Sequence, residues 1–222
     1  MNSVFKLLVF DWDGTLMDSA QRILNCMKCA VSDMEAARRT DDQFLNIIGL
    51  GLDEAIQALY PDAEESFVKG FARAYRRHFL ELDQTASNPF AGTREVLDRL
   101  GASGYLLAVA TGKARFGLER VLKTTGMDGL FHASRCADET SSKPDPQMLW
   151  EIIEHLGVAA EQTLMIGDTE YDMQMSRNAG THSLAVSYGV HDLSRLLRHR
   201  PLGHIDAINE LPVWLQRYSL SD

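Results

Sequence analysis

Cysteine, cationic charge and long apolar runs are scarce in this chain, and each shortage closes off a class of function. Three cysteines in 222 residues are too sparse and odd a set for a disulfide framework. Cys26 and Cys29 have C-x-x-C spacing, but no second ligand pair follows at zinc-like distance and the segment has helical periodicity. Both read as structural residues. With 31 acidic against 22 basic side chains the net charge is -9, which argues against a nucleic-acid polymer as partner. The first apolar run stops at Asp11, too soon for a secretory signal or a spanning helix, so a reducing, cytoplasmic setting without a membrane partner is expected. None of the seven histidines is patterned with an acid and a nucleophile, so each reads as structural or solvated. No internal repeat or low-complexity linker divides the chain, and its length suits one core, or one core with a modest insertion.

What the chain does have is a concentrated acidic turn. Val4 to Phe10 reads as a strand interior interrupted by Lys6, delivering Asp11 and Asp13 into a turn marked by Gly14. Like charges at the end of a buried strand disfavour joint ionisation, and desolvation adds to the cost. A divalent metal, a proton or a transferred group would balance them.

From Asp18 to about Leu82 the apolar residues recur at helical spacing. A first helix is expected from about Ser19 to Arg38 with Asp18-Ser19 as its N-cap, and Thr40-Asp-Asp-Gln43 has the form of a capping box for a short second one. Gly49-Leu50-Gly51 breaks it and is a candidate for a loop reaching the site. Leu52 to Tyr60 forms a third helix, and Pro61-Asp62 starts a fourth carrying Phe67, Phe71, Tyr75 and Phe79. Together these make a small bundle. From Phe90 onward helices (92–102, 115–125, 144–156, 171–179) alternate with strands (105–110, 131–136, 163–166, 183–186). That alternation specifies a doubly wound α/β fold with a mostly parallel sheet and ligands beyond the strands' carboxyl ends. Residues 1–15 and 90–222 are expected to form the α/β core, and 16–89 a helical insertion above that edge.

Three strands end in polar residues at the edge: Asp11, Thr111 and Asp168. Alone each is an ordinary cap or turn former, and Lys143 in Ser142-Lys143-Pro144-Asp145 an ordinary loop lysine. On successive loops of one sheet edge they supply a nucleophile, a hydroxyl donor, a cation and metal-binding carboxylates. In this pattern the chain resembles the haloacid dehalogenase superfamily of hydrolases. The four motifs of that superfamily are matched by Asp11-Trp12-Asp13-Gly14-Thr15, Thr111-Gly112-Lys113, Lys143-Pro144 and Gly167-Asp168-Thr169-x-x-Asp172. The stretch 16–89 stands where the subclass with a helical cap carries its insertion. Asp11-x-Asp13-Gly14-Thr15-Leu16-x-Asp18-Ser19 with Lys143-Pro-x-Pro146 is most similar to the phosphoglycolate phosphatase group.

The resemblance implies a Mg²⁺-dependent phosphatase that hydrolyses a small phosphomonoester (phosphoglycolate-like, sugar phosphate or nucleotide) through an aspartyl-phosphate. Asp11 matches the nucleophile and Asp13 the general acid and base. Magnesium would be held by the Asp11 carboxylate, the Asp13 backbone carbonyl and Asp168. Thr111, Lys143 and the backbone N–H groups of Trp12, Asp13 and Gly112 would hold the phosphate. Gly14 and Thr15 support the turn, and Asp172 supports the metal site or orients Lys143. Gly112 stands where many relatives have Asn. Lys113 is given no role, and Asp18 and Glu170 read as a cap and a helix-start residue. The second acid, Asp13, speaks against a dehalogenase. A phosphomutase of the β-phosphoglucomutase type needs the same acid pair and stays open, since it differs in the cap. A receiver-type switch phosphorylated on Asp has neither the helical insertion nor an acid two residues past its nucleophile. The expected partner is a small phosphorylated metabolite, and a monomer or a homodimer both fit.

Overall fold

The computed structural model describes residues 4–218. In chain order it has β1 (Leu7–Phe10), β2 (Met17–Asp18), α1 (Ala20–Asp33), α2 (Asp41–Asn46), α3 (Leu52–Leu59), α4 (Glu65–Arg77) and β3 (Asn88–Pro89). Then come α5 (Thr93–Ala102), β4 (Leu106–Thr111), α6 (Arg115–Thr125), β5 (Ala133–Cys136), α7 (Gln147–Leu156) and β6 (Thr163–Gly167). The chain continues through α8 (Glu170–Ala179), β7 (His182–Val186), α9 (Leu193–Leu197), β8 (His204–Ile205) and α10 (Leu211–Gln216). A six-stranded sheet runs β5-β4-β1-β6-β7-β8 with parallel pairing throughout. No described helix is long and apolar enough to cross a membrane.

Strand β1 is paired on both edges and packed over on both faces, so its residues are fully buried. Leu8 and Phe10 pack on one side of the sheet with Leu107, Val109, Leu164 and Ile166. Leu7 and Val9 pack on the other with Ala108, Ala110 and Met165. This two-residue alternation buried on both faces explains the continuous apolar run, each full side-chain burial contributing about 1.5–3 kcal/mol. The chain leaves β1 for β4 on one side and later returns to β6 on the other. Crevices for ligands form at such a reversal, and Asp11, Thr111 and Asp168 meet there.

Helices α1 to α4 bury a cluster of their own, including Met27, Phe44, Ile56 and Phe71. The stretch containing them leaves and re-enters the sheet-forming chain through the antiparallel pair β2–β3, with Met17 opposite Pro89 and Asp18 opposite Asn88. The Thr40 capping box forms as read: Thr40 Oγ1 accepts the Gln43 N–H and Gln43 Oε1 accepts that of Thr40.

Several boundaries differ from the sequence reading. The first strand begins at Leu7, with Lys6 exposed before it. Helix α1 ends at Asp33 rather than Arg38, because Glu35 turns left-handed (φ 50°) and the Ala36 N–H closes back onto Val31 O. Helix α4 starts at Glu65: Pro61 lies in a turn where its carbonyl accepts from Gln57. Past Arg77 it continues as a π-helical turn over His78–Leu82. Helix α7 starts at Gln147, whose N–H is taken by the Asp145 carboxylate, leaving Lys143-Pro144 in the loop. The sequence reading also lacked β8, α9 and α10, although Leu211, Trp214 and Leu215 of α10 complete one face of the core.

Candidate active site

Asp11 is the first residue past β1, and its N–H donates to Ile166 O, so the sheet ladder itself sets its position. Its side chain is 1% exposed. Lys143 Nζ lies 2.8 Å from Oδ1, while Oδ2 is buried with no hydrogen-bond partner among the described residues. The same ammonium lies 2.7 Å from Asp172 Oδ1. Burial by itself would lower the Lys143 pKa, but the two carboxylates outweigh it and hold the group above the usual lysine range. For Asp11 burial dominates, and with Asp172 and Asp168 nearby it places the carboxyl well above its ordinary range despite Lys143.

Asp168 follows β6 and takes hydrogen bonds from Thr15 Oγ1 (2.8 Å) and the Val190 N–H (2.8 Å). Burial, reinforced by Asp172, still pushes its pKa up to about 7. Asp172 divides its oxygens: Oδ1 holds Lys143, and Oδ2 accepts from Thr169 N–H and Thr169 Oγ1 in the capping box of α8. It therefore orients Lys143, and it also stands beside the other acids. One oxygen each of Asp11, Asp168 and Asp172 fall within 4.8 Å of one another, all buried. Three clustered carboxylates, one with an orphaned oxygen, fit a hard divalent cation, which favours oxygen ligands. Asp13's carboxylate lies outside this group.

Space around the acids is kept by glycine. Gly14 has φ 83°, and a Cβ there would come 2.1 Å from Asp168 Oδ2. A Cβ on Gly189 would meet Asp168 equally closely. At Gly112 a Cβ would lie 2.4 Å from Leu50 O and 2.8 Å from Gly49 O. The Gly49-Leu50-Gly51 loop thus rests on the turn after β4, and the Gly51 N–H donates to Ser142 Oγ at 2.7 Å. An Asn at 112 would run into these two carbonyls unless the loop 49–51 moved.

Asp13 points the other way. Ser19 Oγ donates to its Oδ1 at 2.5 Å, and Lys113 Nζ lies 2.9 Å from its Oδ2. Ser19 occupies the N-cap position of α1 but makes no side-chain cap; its hydroxyl serves Asp13 instead, which corrects the capping expectation. Lys113, read as having no role, holds Asp13 and leans over the Phe79 ring at 4.8 Å. The sequence signal for Lys113 is its position next to Thr111-Gly112. Thr111 is buried, and its Oγ1 accepts the Lys113 N–H at 3.2 Å, which leaves the hydroxyl hydrogen to donate. Trp12 is buried edge-on to Phe131, with Nε1 lacking a partner among the described residues. Glu170 opens α8 as read and pairs with Arg195 from α9. Both helices also reach Asn46 at the end of α2: Arg195 Nη1 of α9 donates to Asn46 Oδ1, and Tyr171 OH of α8 to Asn46 O.

A cavity of about 320 Å³ opens on Asp11, Asp13, Gly112 and Lys113 and is walled by residues of α1, α3, α4 and the loop 49–51. Its size falls within the range of small-molecule sites.

Comparison with known proteins places this geometry among relatives. The chain is 32% identical over 209 residues to the probable phosphatase IndB of Dickeya dadantii, covering 92% of this chain and 91% of that one. It is 31% identical over 192 residues to a phosphoglycolate phosphatase of Aliivibrio fischeri, covering 83% and 85%. A solved hydrolase from Pseudomonas syringae shares the fold with a TM-score of 0.88 at 20% identity, covering 97% of this chain and 100% of the other. Residues 8–186 match the model of the haloacid dehalogenase-like hydrolases, a span that runs from β1 with its acidic turn to the end of β7, and the chain belongs to that family.

Proposed function

We propose that this chain is a Mg²⁺-dependent phosphatase of small phosphomonoesters, with Asp11 as nucleophile. The observation that carries the reading is Asp11 itself: a buried carboxylate with one oxygen held by Lys143 and the other without a partner. An Asp11 oxygen forms a bond to phosphorus as the bond from phosphorus to the ester oxygen breaks, and the departing alkoxide takes a proton from Asp13. Asp13 then removes a proton from water, which attacks phosphorus and frees the Asp11 carboxylate and inorganic phosphate. Asp11, Asp168 and the Asp13 backbone carbonyl would hold the cation, with Asp172 in reach. When bound it neutralises charge on the phosphoryl oxygens. Thr111 and Lys143 donate to those oxygens, helped by the backbone N–H groups of Trp12, Asp13 and Gly112. Ser19 and Lys113 position the Asp13 carboxylate.

In this reading residues 16–89 act as a cap on the core formed by 1–15 and 90–222. The loop 49–51 reaches the phosphate turn, and closure excludes bulk water and large substrates. The test is phosphate release from a panel of small phosphomonoesters with and without Mg²⁺. Asp11→Asn is expected to abolish release, and Asp13→Asn to reduce it by about 10²–10⁴-fold. Normal turnover by a folded Asp11→Asn protein would refute the assignment.

A further inference from the structure

Beyond its acids, the cavity is walled largely by hydrocarbon and aromatic groups: Met27, Ile48, Tyr75, Phe79 and Leu80 on one side and Phe116 on the other. Phe116 is 64% exposed at the first turn of α6, so the apolar lining reaches the mouth. Tyr75 presents its ring and hydroxyl there, and a phenol is neutral near pH 7.

Cations in this wall are outnumbered by acids, and the more buried one is already engaged. Lys113 is committed to Asp13, and Arg76 faces Asp53 at 4.0 Å. Asp53, Glu54 and Asp138 line the same cavity. A leaving group with its own carboxylate or second phosphate would meet these three acids with only the half-exposed Arg76 to offset them. Like-charge contact of that kind selects against a ligand, and an uncharged flat group would instead remove the apolar lining from water.

Building on the phosphatase reading, we infer that the substrate is the monophosphate ester of an uncharged alcohol with a flat apolar body. Compact substrates whose leaving group is itself anionic, the ester phosphoglycolate and the anhydride pyrophosphate included, are disfavoured.

The experiment compares kcat/KM of the full chain with Mg²⁺ on 2-phenylethyl phosphate, ethyl phosphate, phosphoglycolate and pyrophosphate. The two alkyl esters have similar leaving-group chemistry, so their ratio isolates the ring. A preference of at least about tenfold for 2-phenylethyl phosphate over ethyl phosphate and phosphoglycolate is expected, the scale set by apolar pockets. Highest activity on phosphoglycolate or pyrophosphate, or no spread across the panel, would overturn the inference and leave the phosphatase reading standing. Failure on all four and on acetyl phosphate would take down both. Glu54→Lys is expected to raise the phosphoglycolate to 2-phenylethyl phosphate ratio by about tenfold, within the range seen for like-charge removal. An unchanged ratio would overturn the charge argument.

Discussion

Lys143→Met keeps the aliphatic stem and deletes an ammonium lying 2.8 Å from Asp11 and 2.7 Å from Asp172. All three side chains are at most 1% exposed, so bulk solvent compensates the lost charge poorly. Removing one partner of a buried pair costs about 3–5 kcal/mol when the remaining charge is left uncompensated. At roughly 2–4 °C per kcal/mol for a domain of this size, Tm at pH 8 without divalent metal falls by about 6–20 °C. The pH dependence is the sharper part. Burial already raises the Asp11 pKa, and Lys143 is what restrains it, so the substitution raises it further. The folded variant then keeps a proton that the unfolded chain releases near pH 4, the ordinary carboxylate range. Between those two pKa values the folded state binds more protons, so its stability falls as pH rises. The deficit against the wild type is therefore largest at pH 8 and narrows toward pH 5. Thermal unfolding followed by circular dichroism in EDTA at pH 5, 6.5 and 8 measures it. A deficit that is the same at all three pH values, or no deficit, would refute the reasoning.

Gly112→Asn drives a side chain into two backbone carbonyls and is expected to cost about 1–3 kcal/mol, with a higher KM as the loop 49–51 is displaced. An unchanged Tm and KM would show that the loop yields freely. Thr15→Val removes a donor from Asp168 Oδ1; the Asp168 pKa then rises beyond about 7, and calorimetry at pH 7 should show weaker Mg²⁺ binding. Glu170 is pulled down to about 2, chiefly by its hydrogen bond from Arg195. Its stabilisation is present above the unfolded value near 4.5 and is lost as pH falls toward 2. An Arg195→Met protein should show a shallower fall in Tm on acidification over that window than the wild type. Parallel curves would count against the pair.

How far the chain could be read in advance varied with the range of the interactions involved. Strands β1, β4, β6 and β7 were legible because burial on both faces leaves an apolar run that ends abruptly in a polar residue. Helix α6 and the Thr40 capping box were legible because their signals lie within a few residues. Helix α1 was overextended because residues 34–38 keep helical spacing, and the left-handed Glu35 that stops the helix carries no local mark. Strand β8 has two residues and is a strand because β7 stands beside it.

The same division runs through the site. The order of Asp11, Asp13, Thr111, Lys143 and Asp168, and their placement at one sheet edge, follow from sequence, because a parallel α/β sheet delivers every strand end to the same side. What each carboxylate faces was decided by tertiary structure. Folding brings Lys143 between Asp11 and Asp172 across 132 and 29 residues of chain, turns Asp13 toward Ser19 and Lys113, and lays Leu50 O over Gly112. Those contacts depend on rotamers and on a loop docking from another core, and neither leaves a periodic trace in the chain. The residue types set which chemistry is available; the packing of the helices of 16–89 over the sheet edge sets the shape and charge of the cavity where it would act.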